Sequence, residues 1–236
     1  MAPTSYQISI DGVVAGEVAV GEEYTLPVGT ADGFVCYTDG SEYFAEETTL
    51  TPEKNLSLTS VSIGKFEMLE GASMRINNKT GIRFYTNVDT AKIAELLADG
   101  ATISIGTLIA PENLLNGNEL KLDIPETNRV NIPFVPGVED GKWYTEDTFS
   151  GMVGSLVNIK DANILRKFVG RGYATVTIGG VTKTVYADYS SDSVVNNTRS
   201  IAFIAKSLAD SGSDLYIAHK DEVDKFAAMY NAAYEF

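Results

Sequence analysis

Two adjacent aromatic residues, Trp143 and Tyr144, stand among Asp140, Glu146 and Asp147 in a stretch rich in proline and glycine. Flat rings next to carboxylates can stack the apolar face of a sugar ring and accept hydrogen bonds from its hydroxyls. Trp143, Tyr144, Asp140 and Asp147 therefore form a candidate ligand-binding set. The structural alternative, in which Trp143 only anchors a long loop onto a sheet, stays open.

Other chemistries find less to work with. Nucleophilic catalysis needs a base beside its Ser, Cys or Thr. The chain has one cysteine, Cys36, inside the apolar run Phe34-Val35-Cys36-Tyr37, and one histidine, His219, just before the last predicted helix. Cys36 is expected to be a small buried hydrophobe and His219 an exposed linker residue. Glycoside hydrolysis needs two carboxyls at a fixed separation, one of them with a raised pKa. Among 32 acidic residues, pairs such as Glu67 and Glu70, Glu46 and Glu47, or Asp188 and Asp192 arise by proximity alone. No catalytic residue is assigned, and the expected class is a non-enzyme, with a glycoside hydrolase as the enzymatic alternative.

Metal and cofactor signals are equally thin. Asp210-Ser211-Gly212-Ser213-Asp214 carries acids at the first and fifth positions of a calcium-type loop. Gly212 stands where the third-position acid belongs, Leu215 where the turn glycine belongs, and Asp221 at the twelfth position. The segment reads instead as a helix C-cap with Gly212 left-handed. No His/Cys cluster suits zinc, and Gly151-Met152-Val153-Gly154 lacks the Lys-Ser/Thr of a phosphate loop, so no metal or cofactor is expected. Arg75 and Arg83, on neighbouring predicted strands, are expected to pair with acids such as Asp188 and lock those strands together, anion recognition being the functional alternative.

These side chains have to be held by a chain of 236 residues with 18 Lys and Arg against 32 Asp and Glu, a formal charge of −14. A compact chain of this mass hides roughly 70% of the surface its unfolded form exposes, enough for a core without disulfides. The acidity argues against nucleic-acid partners and anionic membranes. No run of about 18 apolar residues is present to span a bilayer. The start, Met1-Ala2-Pro3-Thr4, has neither a basic nor an apolar leader pattern, and leads straight into a strand. It reads as a piece of a longer protein, with targeting signals elsewhere.

Up to about residue 60 the pattern is one of short strands. Tyr6, Ile8 and Ile10 alternate before Asp11-Gly12, a hairpin signal; Val18 and Val20, then Tyr24 and Leu26, then Phe34 to Tyr37 follow. Beyond it, strands are predicted over 61–69, 72–76, 82–87, 102–109, 119–124, 150–158, 172–178 and 181–188, the last two joined by Gly179-Gly180. Helices are predicted near 90–98, 198–210 and 220–235. The second carries Ile201, Ile204, Ala205 and Leu208 on one face, the third Val223, Phe226, Ala227, Tyr230 and Tyr234. The stretch 125–149 has no lasting period and reads as a long loop. The expected fold is α+β and mainly β: a small β-grasp-like domain over 1–62, then a larger sheet or β-sandwich domain with about three packed helices over 63–236.

Two stretches resemble known families. Gly21-Glu22-Glu23-Tyr24-Thr25-Leu26-Pro27 followed by Phe34-Val35-Cys36-Tyr37-Thr38-Asp39-Gly40 resembles the Listeria–Bacteroides type of β-grasp-like surface repeat, with Cys36 and Tyr37 where that family usually has glycine and tryptophan. Over about 64–210, Gly71-Ala72-Ser73-Met74-Arg75, Gly81-Ile82-Arg83-Phe84 and Phe168-Val169-Gly170-Arg171-Gly172-Tyr173 are similar to an uncharacterised module of secreted, multimodular surface proteins of Gram-positive anaerobes. The resemblance implies an extracellular or cell-surface address and brings no catalytic residues. On this basis the chain is expected to be a non-catalytic module pair acting in adhesion, spacing or display. Its expected partners are a surface glycan or protein and the neighbouring modules of its parent chain. The alternative is a carbohydrate-binding module with Trp143 and Tyr144 as its platform.

Overall fold

The computed structural model describes residues 3–76, 79–136, 143–146, 149–187 and 198–234. The fold is α+β and mainly β, with four helices and several sheets among these residues. The chain divides into two compact units: Met1–Phe66 with Asp89–Ser104 and Ala174–Val185, and Glu67–Val88 with Ile105–Tyr173 and Tyr186–Phe236.

In the first unit, β1 (Ser5–Ile10) and β2 (Val13–Ala19) form the hairpin that Asp11-Gly12 signals. Next, β1 pairs in parallel with β7 (Leu56–Ser62), and β7 pairs antiparallel with β4 (Phe34–Thr38), on which β5 (Tyr43–Phe44) folds back. The order is β2-β1-β7-β4-β5, a parallel pair with antiparallel strands on either side. Apolar alternation puts Leu26, Phe34, Tyr37 and Leu58 into one core, with β3 (Tyr24–Thr25) and β6 (Thr49–Leu50) laddered beside it.

The division expected at 62/63 leaves out two later segments that belong to this unit. One is α1 (Thr90–Ala98), which Asp89 caps by accepting the Lys92 amide at 3.1 Å. The other is the hairpin formed by the end of β15 (Phe168–Ile178) and β16 (Val181–Tyr186). Its turn residues Gly179 and Gly180 have φ of 54° and 82°, a conformation with no penalty only for glycine. Side chains tie it in: Lys183 Nζ donates to Glu46 Oε1 at 2.6 Å and lies 4.7 Å above the Phe34 ring. A Cβ at Gly179 would overlap the Tyr43 ring.

The second unit contains a β-sandwich. In one sheet β10 (Gly81–Val88) pairs with β14 (Phe149–Val157) in the register Gly81↔Val157 to Asn87↔Gly151, joined by β8 (Phe66–Met68), β9 (Ser73–Arg75) and β13 (Trp143–Glu146). The other runs β12-β11-β15, from β11 (Thr102–Pro111) and β12 (Val130–Phe134), with β17 (Thr198–Arg199) on β15. Glycines let the sheets approach. A Cβ at Gly170 would overlap the Phe84 ring, one at Gly172 would fall 2.5 Å from Thr86 Cγ2, and one at Gly154 2.5 Å from Thr107 Cβ. On the sandwich α2 (Ile201–Ser211) meets β9, and the short α3 (Asp214–Ala218) and α4 (Lys220–Tyr234) pack on α2.

Several elements differ from expectation. The run 61–69 is two strands, β7 and β8, interrupted at Gly64, whose φ is 70°. Residues 119–124 are not a strand, although Leu120, Leu122 and Ile124 alternate into an apolar cluster with Leu108, Val169 and Tyr173. Their backbone bonds to side chains instead. The Leu122 amide donates to Tyr186 Oη at 3.0 Å, and Arg129 donates to the carbonyls of Ile124 and Leu122 at 2.8 and 2.9 Å. The supposed loop 125–149 contains β12 and β13; Pro133 is tolerated because β12 is an edge strand. The five-residue α3 is too short to show a helical period.

Candidate ligand-binding groove

Three aromatic rings of the second unit run outward from its core. Along α4 the apolar stripe buries Val223, Phe226 and Ala227, then continues to Tyr230 and Tyr234, which is 58% exposed. Phe203, on α2 but off the buried face of Ile201, Ile204 and Ala205, is 37% exposed. Phe203 meets Tyr230 edge-on at 5.8 Å and 64°, and Tyr230 meets Tyr234 at 4.9 Å and 42°. The rings border a hollow of about 650 Å³, whose other walls include Glu112, Lys167, Thr198 and Arg199. A second hollow of about 220 Å³ shares Glu112 and Thr198 and is also lined by Asn118 and Glu119.

Each wall is fixed by local bonding. Ser200 is buried and caps α2, its Oγ accepting the Phe203 amide at 3.1 Å, while the Ala202 amide donates to the Ile164 carbonyl at 3.1 Å. The register Phe168↔Arg199 and Val169↔Thr198 sets Arg199 at the start of α2. Its guanidinium donates to the Thr198 carbonyl at 3.0 Å and lies 5.2 Å from the centre of the Phe203 ring. The Glu112 amide donates to the Lys167 carbonyl at 3.0 Å, and their exposed side chains form an ion pair at 3.9 Å.

The residues singled out from sequence fall elsewhere. Trp143 and Tyr144 are consecutive on β13, in register with Met152 and Gly151. Their side chains, and all of Asp140 and Asp147, lie outside the described residues. Cys36 is fully buried, and burial pushes its thiol up to about 11 despite nearby Lys183. His219 joins α3 to α4, its carbonyl accepting the Val223 amide at 3.1 Å. Gly212 is left-handed at φ 58°, and Asp210 takes Lys206 as its partner, so the acidic 210–214 segment links two helices. Glu46 accepts from Lys183 and from the Gly29 amide, and Glu67 accepts from Asn87; Asp188 and Asp192 lie outside the described residues.

Arg75 and Arg83 do sit on the paired strands β9 and β10, with Gly81↔Arg75 and Arg83↔Ser73 in register. Among the described residues the buried Arg75 Nε has no hydrogen-bond partner, and Asp188, its expected partner, lies outside them. Arg171 pins chain segments in the way that pair was expected to. It is 7% exposed, donates from Nε to the Ala187 carbonyl at 3.1 Å and from Nη1 to Glu119 at 3.2 Å, and lies over the Tyr186 ring at 5.0 Å.

Four carboxyls are held below the ordinary range. Asp39 is drawn down to about 2 by the Glu42 and Ser41 amides and the Ser41 hydroxyl. Burial works against the charge on Glu46, but the bonds from Lys183 and Gly29 outweigh it. Lys121 and then Arg171 hold Glu119 down, and Lys220 and then Tyr216 hold Asp224 down. All four are tuned to stay charged, the opposite of what a general acid requires.

Sequence reasoning placed Tyr230 and Tyr234 in a core stripe, because the period of α4 carries on past the point where the core ends. The available signal was Phe203, an aromatic residue off its helix's apolar face. No family model matches the chain, and neither curated proteins nor solved structures give a match.

Proposed function

We propose that this chain is a non-catalytic extracellular module pair of a longer surface protein, and that it binds a glycan along the groove of Phe203, Tyr230 and Tyr234. The observation that carries the reading is the outward run of three rings beside a hollow of about 650 Å³. Contiguous apolar surface left in water is unfavourable by roughly 25 cal/mol per Å², and such patches mark contact sites. The C–H face of a pyranose ring covers an aromatic ring well, while its hydroxyls need the polar groups that Thr198 and Glu112 supply along the same walls. The non-catalytic part is supported by the buried, protonated thiol of Cys36 and by carboxyls tuned downward. The extracellular part is supported by the resemblance to secreted surface modules. Adhesion or display follows from a binding groove on a pair of small modules.

Affinity electrophoresis through a panel of soluble polysaccharides tests the reading. The chain should be retarded by at least one of them, and Tyr234→Ala should abolish the retardation while shifting the melting temperature little, since Tyr234 is more than half exposed. Retardation that survives Tyr234→Ala and is lost in Trp143→Ala would move the platform to β13 and sink the assignment to this groove.

A further inference from the structure

We infer that the outer face of the β9-β10-β14 sheet holds a tetrahedral oxyanion, a phosphate or sulfate group, between the guanidinium groups of Arg75 and Arg83. The site is separate from the groove and stands whether or not a glycan binds there. Its geometry follows from the register. Met74 and Ile82 are paired and buried, as is Phe84, so the alternate positions Ser73, Arg75, Gly81 and Arg83 belong to the opposite face. Arg75 stands across from Gly81, and Arg83 stands between Ser73 on β9 and Ser155 on β14. The two arginines are thus diagonal neighbours with Cβ atoms about 7 Å apart, a gap that two long side chains can close. A glycine and two serines directly across from them leave room above the sheet and add two hydroxyls.

Among the described residues neither guanidinium has an acceptor, and Arg75 Nε is buried in that state. The carboxylates nearby are engaged elsewhere or exposed. Glu67, on the same face, accepts from Asn87, which lies about 13 Å along β10 from Arg83. Glu70 is exposed in the bend before β9, and α2, which meets β9, carries Lys206 and Asp210 bonded to each other. At physiological ionic strength screening acts over about 8 Å, so the remote acids behind the charge of −14 do little here. Two like charges side by side on a sheet work against folding, and a buried N–H of a charged group without an acceptor adds to that cost. A dianion between them reverses both effects. Each guanidinium is a planar fork that binds two oxygens, and turning the Arg75 fork toward the anion gives its Nε–H an acceptor. Ser73 Oγ can accept from Tyr85 Oη at 3.1 Å and still donate its own proton. A planar carboxylate fills one fork, whereas a tetrahedral group has oxygens for both forks and for a hydroxyl.

Anion titrations of the full chain at constant ionic strength, balanced with chloride, test the site. Millimolar sulfate or phosphate should raise the melting temperature by about 2–4 °C and then saturate, while acetate at the same concentration should not. In heteronuclear NMR spectra the Nε–H signals of Arg75 and Arg83 should shift together with one midpoint. Glucose monosulfate separates the two sources of the group: a midpoint equal to that of inorganic sulfate assigns the site to an esterified anion as well, and one about tenfold weaker assigns it to the free ion. Arg75→Gln and Arg83→Gln should each abolish the anion-dependent rise, yet melt no lower than the parent chain in chloride, because each removes a like-charge contact. Arg83→Lys, which keeps the charge but not the fork, should retain part of the response. Arg75→Gln melting as far below the parent as Asp188→Asn, with no saturable effect of sulfate, overturns the site and makes the arginine a staple to that acid. A rise that grows steadily with sulfate and persists in both glutamine variants is exclusion of the ion from the whole surface and overturns it too.

Discussion

Arg171 donates to acceptors of two kinds, backbone carbonyls and a carboxylate, and these bonds should not weigh alike. The Ala187 carbonyl is a backbone group in a buried setting, whereas the Glu119 side chain is mostly in water. Arg171→Met keeps an apolar stem over Tyr186 but strands the carbonyl, and should destabilise the protein by about 2–3 kcal/mol. Glu119→Gln removes only screened ion pairs, with Arg171 and with Lys121, and should cost less than about 1 kcal/mol. Urea midpoints of the two variants check this, and equal losses would mean that the ion pair rather than the carbonyl bond fixes the segment. Cys36 makes the opposite kind of prediction, since its buried thiol favours the neutral form. Below about pH 9 the thiol is protonated in both folded and unfolded chains and contributes nothing to pH dependence. Between the unfolded value of 9.0 and the folded value of about 11 the unfolded chain loses its proton first, so stability falls with rising pH. The loss should approach roughly 2–3 kcal/mol at the upper end. In Cys36→Ala the denaturation midpoint should decline less steeply over that window than in the parent chain. Matching slopes would show that the thiol ionises as easily in the fold as out of it.

The strands of the sandwich are held close by the absence of side chains at Gly170 and Gly172, opposite Phe84 and Thr86. Gly170→Ala should cost about 3 kcal/mol, because Phe84 cannot yield without leaving its rotamer. Paired with Phe84→Ala, which alone should cost about 3–5 kcal/mol, it should cost clearly less than the sum, a coupling that a double-mutant cycle reads directly. Simple addition would mean that the sheets separate independently of this contact. Elements whose period is set by one neighbour were legible in the chain: the strand β10, the helix α1 and the glycine pair at 179–180. Elements whose backbone partners are distant in sequence were not. Leu120, Leu122 and Ile124 alternate as a strand does, but only the positions of Tyr186 and Arg129 decide that no strand forms. The groove stayed hidden for a related reason. Helical spacing is the same for Tyr230 and Tyr234 whether they face a core or open water, and the end of the core is a tertiary fact.

The first unit gathers residues from three separate stretches of chain, so its stability should depend on residues more than a hundred positions past the end of its own sheet. The β2-β1-β7-β4-β5 sheet is complete by Ser62, and a division there is what the local pattern invites. Yet Glu46, Phe34 and Tyr43 have their partners at Lys183 and Gly179, and the buried residues Ile93 and Leu96 of α1 belong to the same unit. A segment of about 60 residues without a disulfide is marginal even with its whole core. Expressed alone, residues 1–62 should therefore lack a cooperative thermal transition by circular dichroism, and their amides should exchange with solvent within minutes. The full chain should protect the β1, β4 and β7 amides for hours, because opening them requires unfolding the unit. In the full chain, Lys183→Met should lower that protection in β4 more than in α4, since Glu46 and Phe34 belong to the first unit and α4 to the second. A 1–62 fragment that melts sharply and protects its central parallel pair would show that α1 and the 174–185 hairpin are accessories to a module already stable by itself.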